Sequence, residues 1–134
     1  MTTEVFDIFR AFFVAENAKT CYVSYYKSGK GAKAMVAAAV EKMIAFYDGD
    51  LHDINHFLKV WALAKTIGER EGLDAHTLET LELTAVVHDI ACPLCRKKHG
   101  DTDGKHQERE SAPLVAAFFA EPLFAGVDVA RISH

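Results

Sequence analysis

A chain of 134 residues, half of them hydrophobic and a quarter charged, has room for one domain around one core and not for two. A formal charge of −4 and a pI near 5.9 argue against a general nucleic-acid binder, which normally shows a basic face. A small anionic substrate stays compatible, because a local cation overrides the overall sign.

Glu4, Asp7 and Arg10 interrupt the apolar N-terminal patches, and no charged leader with a small-residue cleavage site follows, so no signal peptide is expected. The longest apolar run, Ala34 to Val40, is far shorter than the ~20 residues of a membrane span. A cytoplasmic protein without membrane association is the expectation. Cys21, Cys92 and Cys95 are an odd number and read as thiols or ligands rather than as a disulfide framework.

Thr3 to about Lys19 carries Val5, Phe6, Phe9, Phe12 and Phe13 at helical spacing, which predicts a short amphipathic helix packed on the domain or on a second subunit. Tyr22 to Gly31 is a polar connection. A second, Ala-rich helix is predicted from Ala32 to Tyr47. After the turn Asp48-Gly49-Asp50, Asp50 caps a third helix to about Glu71, with Asp53 in its first turn. On it His56, Val60, Leu63 and Ile67 form one stripe, so His56 is expected to face the core. Trp61 and Phe57 are core candidates as well.

A fourth helix starts near Asp74 and places Leu78, Leu81, Ala85 and His88 on one line, which predicts an inward His88. Asp89 follows ~100° further round, and Cys92-Pro93 stops the helix. A polar loop is expected from Cys92 to Lys105. A fifth helix runs from about His106 to Ala120, with Pro113 delaying or kinking its start. Val127 to His134 begins another. No strand alternation and no repeat appears, so the fold class is all-α, a bundle of five to six helices.

Two inward histidines on neighbouring helices with a carboxylate beside the second supply three ligands of the types that hydrolytic metal sites use. An unpaired buried Asp costs several kcal/mol, and a cation relieves it. His56, His88 and Asp89 are therefore the metal-ligand candidates, and the ion is Zn, Mn, Fe, Co or Ni. Arg96-Lys97-Lys98 and Lys105 could draw in a phosphate or simply solvate a loop; of these Lys98 is the preferred substrate contact. Cys92-Pro93-Leu94-Cys95 with His99 and His106 leaves three readings open: structural thiols, a second zinc site, or a redox pair. His106 could also reach the main metal. His52, one turn before His56, either supports a ligand from behind or is an exposed helix residue.

The segments Asn55-His56-Phe57-Leu58-Lys59-Val60 and Ala85-Val86-Val87-His88-Asp89-Ile90 resemble the HD superfamily of metal-dependent phosphohydrolases, named for its His-Asp pair. The resemblance covers roughly Lys42 to Phe119, and Gly104-Lys105-His106-Gln107-Glu108-Arg109-Glu110-Ser111 is similar to small bacterial HD proteins. It implies that His56, His88 and Asp89 bind a divalent metal and that a metal-bound water is the nucleophile on a small phosphorylated substrate; Asp89, and Lys98 for its charge beside the pair, are the catalytic candidates. It also implies a further Asp on a later helix. The chain ends at Arg131-Ile132-Ser133-His134 before that place, so relative to the family it is expected to be C-terminally truncated. Asp101, Asp103 and Asp128 do not match the missing position. Glu108, Glu110, water or another subunit of a homodimer could complete the site. The alternative expectation is a degenerate, non-catalytic HD-like module that acts in dimerisation or partner binding.

Overall fold

Aspartates start four of the helices in the computed structural model of the chain, which describes residues 31–133. The helix expected over residues 3–19, its connection as far as residue 30, and Cys21 lie outside the described residues. Helix α1 spans Gly31–Phe46, α2 Leu51–Arg70, α3 Ala75–Val87, α4 Cys92–His99, α5 Gly104–Phe118 and the one-turn α6 Val129–Ile132, with a 3-10 turn at Pro122–Phe124. The Asp50 side chain accepts from the His52 and Asp53 amides, and Asp74 does the same for His76 and Thr77. Asp103 and Asp128 cap α5 and α6. Each supplies an acceptor that the free first-turn amides otherwise lack. The all-helical class expected from periodicity is what the structure has. No described helix is long and apolar enough to cross a membrane.

The α2–α3 hairpin organises the compact unit Ala32–His134. Helix α2 stops where Gly72 turns to φ +67°, and the Leu73 amide bonds the Gly68 carbonyl at 3.1 Å while the Gly72 amide bonds Glu69. That is a Schellman ending, which favours glycine at the left-handed position. The chain then reverses into α3 at Asp74. Pairings of His56 with His88 and of Trp61 with Glu82 run in opposite sequence directions, so the two helices are antiparallel. Gly68 brings them close: a Cβ there would lie 2.7 Å from a Leu78 methyl. Phe57, Met43, Leu83, Val86, Ile90, Cys95 and Phe124 are the largest fully buried side chains.

The structure turns α2 away from the predicted stripe. Leu63 and Ile67 are 57% and 59% exposed, whereas Phe57 and Gly68 are buried. Phe57, Trp61, Ala64 and Gly68 repeat the same i, i+4, i+7, i+11 spacing one residue later, ~100° around the helix. The core selects this second stripe because it offers a large ring and a glycine for close approach. His56 is consequently on the flank, not inward. His88 is likewise at the exposed end of α3, although Ala85 above it is buried.

The polar loop expected from Cys92 to Lys105 is largely helical. Pro93 does not end a helix but sits in the first turn of α4, where its missing N–H is no loss. Gly100 at φ +79° closes it. Helix α5 begins before the predicted His106 and continues through an exposed Pro113. One intrahelical bond is lost there, and Arg109, whose carbonyl loses its donor, is exposed.

Candidate metal centre

Helix α3 ends at Val87, so His88 is its C-cap and Asp89 lies in the turn that leads to α4. His88 Nδ1 donates to the Ala85 carbonyl at 2.7 Å. In neutral imidazole that bond fixes the proton on Nδ1 and aims the Nε2 lone pair outward. The turn swings Asp89 to the same side, where its Oδ2 lies 3.1 Å from His88 Nε2 and 3.1 Å from His56 Nε2. The two histidine Nε2 atoms are 3.3 Å apart. Three electron-pair donors thus form a nearly equilateral triangle.

Such a triangle needs a positive guest, because neutral nitrogen and carboxylate lone pairs at this spacing repel. A proton is one guest: Asp89 pulls the His88 titration above its usual value, chiefly by hydrogen bonding, and His88 in turn holds Asp89 below the usual carboxylate range. A metal ion is the other. Ligand atoms ~2.1 Å from one ion sit ~3.0 Å apart at octahedral corners and ~3.4 Å apart at tetrahedral ones, and the observed edges fall between. His56, His88 and Asp89 therefore fit a divalent cation as three ligands on one side of it. The His56 side chain is 49% exposed and those of His88 and Asp89 are 28% exposed, which leaves the opposite side open to water and solute.

The remainder of the structure fixes Asp89 from behind. The Tyr47 hydroxyl donates to its carbonyl at 3.2 Å, and the Cys92 amide donates to the same oxygen at 2.9 Å. Arg96, one turn further along α4, binds the buried Asp53 carboxylate and lies 3.9 Å from Asp50. This ties α4 to the first turn of α2, one turn before His56. Asp50, His52 and Asp53 also gather donor atoms within reach of one ion, but Arg96 already supplies a cation to that group. His52 itself is 89% exposed beside Asp53.

Lys98 is elsewhere. Its Nζ bonds Glu110 Oε1 of α5 at 2.7 Å, and the same oxygen takes His99 Nε2 at 3.2 Å. His106 stacks on His99 with centroids 4.0 Å apart and bonds Asp101 at 2.8 Å. These residues lock α4 to α5, so neither His106 nor Glu110 joins the triangle, and among the described residues Glu108 makes no side-chain hydrogen bond or ion pair to it. The Cys-x-x-Cys reading does not assemble either: among the described residues no metal-competent group contains Cys92 or Cys95. Burial, and next the Asp89 charge, push the Cys92 thiol up to about 11, and burial also raises Cys95. Both are buried thiols held in the protonated form, which disfavours redox exchange.

The roles of Tyr47, Arg96, Asp53 and the Cys92 amide were not legible in the sequence. The one available signal was spacing: Cys92 and Arg96 stand three and seven residues after Asp89, on one face of whatever helix follows. Compared with known proteins, the chain matches no family model, no curated protein and no solved structure.

Proposed function

We propose that the chain is a metal-dependent phosphohydrolase of the HD kind, acting on a small phosphorylated substrate, with His56, His88 and Asp89 holding one divalent cation. The supporting observation is the triangle of donor atoms 3.1 to 3.3 Å apart, formed by the three residues that carry the resemblance. Bound there, the cation would supply an activated water and neutralise charge on the phosphoryl oxygens.

The chain's own residues then have separable tasks. His88 presents Nε2 because Ala85 holds its other nitrogen, and Asp89 contributes the charge that draws a cation to the turn. The Tyr47 hydroxyl and the Cys92 amide hold the Asp89 backbone carbonyl, which fixes the turn that presents its carboxylate. The exposed flank of His56 leaves an approach for a phosphate ester. Lys98 comes to the substrate only by leaving Glu110, so the substrate's remaining charge falls mainly to the metal.

A second reading, a non-catalytic module for dimerisation or partner binding, draws support from Leu63 and Ile67, which continue the His56 flank as exposed apolar residues. Phosphate release from nucleotides and phosphomonoesters, measured with Mn, Co, Ni, Zn and Fe(II) supplied in turn, separates the two. Turnover that disappears in His56→Ala, His88→Ala and Asp89→Ala supports the enzyme. Metal binding without turnover on any such ester supports the module.

A further inference from the structure

The opposite face of the α2–α3 hairpin carries a second concavity, unrelated to the donor triangle. Relative to His56, the α2 residues Trp61, Lys65 and Glu69 lie ~140–220° round the helix, and relative to His88 the α3 residues Glu82 and Glu79 lie ~120–180° round. Together they border a cavity of about 340 Å³, within the range of small-molecule sites. Its walls are mostly apolar, with Val36 of α1, Leu78 of α3 and the Trp61 ring as the main surfaces.

The polar groups around it are unbalanced. Glu82 is a buried carboxylate, 7% exposed, and its partner among the described side chains is the Trp61 indole N–H at 2.9 Å. The Glu69 and Glu79 carboxylates have no hydrogen bond or ion pair among the described residues. Among the described lining residues one ammonium, Lys65, stands against these three carboxylates, and it lies 5.9 Å from the Trp61 ring centroid. A buried carboxylate with a single neutral donor favours a cationic partner. No three of the carboxylates lie within 4.8 Å of one another, so they do not form a cage for a bare metal ion. The guest must be a larger cation with apolar surface of its own, and an aromatic face is a known complement to such groups.

We propose that this cavity binds an organic cation, an ammonium group on an apolar body, with the charge at Glu82 and Glu79 and the apolar part against Trp61, Leu78 and Val36.

Trp61 is the only tryptophan of the chain, so its fluorescence reports the cavity directly in the full-length protein. The probes are n-hexylammonium, hexan-1-ol and hexanoate, matched in length and differing in charge. The expected result is a saturable change with hexylammonium, with the other two weaker by about tenfold or more, a difference of the size one desolvated charge contact gives. Glu82→Gln keeps an acceptor for the indole and should abolish the preference for hexylammonium over hexanol; Lys65→Met should tighten hexylammonium binding. If circular dichroism shows Glu82→Gln to be unfolded, Glu79→Gln at a half-exposed position takes its place. Equal binding of hexanol and hexylammonium, tighter binding of hexanoate, a preference that survives the glutamate change, or no saturable signal each overturns the proposal.

Discussion

Replacing Arg96 with Met tests whether the scaffold behind the donor triangle works as described. Asp53 is only 8% exposed, and Arg96 is its cationic partner across helices. Removing one member of a buried ion pair costs about 3–5 kcal/mol. The Arg96 side chain is 43% exposed, however, so water reaches the carboxylate after the change, and His52 Nδ1 remains 3.2 Å from it. The expected loss is therefore about 1–3 kcal/mol, nearer the penalty for an unsatisfied but hydratable group. For a chain of 134 residues each kcal/mol lowers Tm by about 3–5 °C. The assay is urea and thermal unfolding of parent, Arg96→Met, Asp53→Asn and the double variant. The double should be less destabilised than the two singles summed, by about 1–2 kcal/mol. Because Asp53 stands one turn before His56, Arg96→Met should also lower metal retention. Additivity of the singles within ~0.5 kcal/mol, with metal binding unchanged, would refute the clamp.

Three further outcomes are expected. In the metal-free protein, the His88 titration raised by Asp89 means its stabilisation is full below the ordinary histidine value and fades as pH rises through the raised one. The depressed Asp89 titration means the carboxylate's share is present above its ordinary value and fades as pH falls through the lowered one. Stability lost on His88→Gln, followed by urea melts, should thus be largest between about pH 4.5 and 6 and shrink towards pH 8; a loss flat across that range contradicts the pairing. With Cys92 pushed up to about 11, its thiolate fraction at pH 7 is about 1 in 10,000, so iodoacetamide should label neither Cys92 nor Cys95 of the folded protein on the timescale at which it labels the urea-unfolded chain. Phe57→Ala removes a fully buried ring and should cost about 3–5 kcal/mol by chemical denaturation; less than ~1 kcal/mol would mean that α2 is turned differently from the orientation described.

What the sequence made readable was local. Asp50 and Asp74 announced their helices because a cap acts on amides two and three residues away, and Gly72 announced its stop for the same reason. Phe57 was legible as a core candidate, whereas Trp61, read the same way, is only half-buried. The orientation of α2 was not legible, because His56-Val60-Leu63-Ile67 and Phe57-Trp61-Ala64-Gly68 share one periodicity and only the partner surface chooses between them. Helix α4 was hidden by its composition: Arg96-Lys97-Lys98 reads as solvated loop, but at the last turn those charges complement the helix dipole. The convergence of His56, His88 and Asp89 was expected from an inward placement, and the structure reaches it along the flank. The partners around Asp89 come from the turn after α1 (Tyr47), from α2 (His56) and from α4 (Cys92), and only the Asp89–Cys92 spacing hints at any of them.

The central claim is that three named side chains bind one metal ion, and elemental analysis of protein purified without added metal tests it most directly, in parallel with His88→Ala and Asp89→Ala. About one equivalent of a transition metal in the parent, and little in either folded variant, is the predicted result. Metal retained at the parent level in both variants, or none in the parent even after soaking with Zn, Mn and Co, would contradict it.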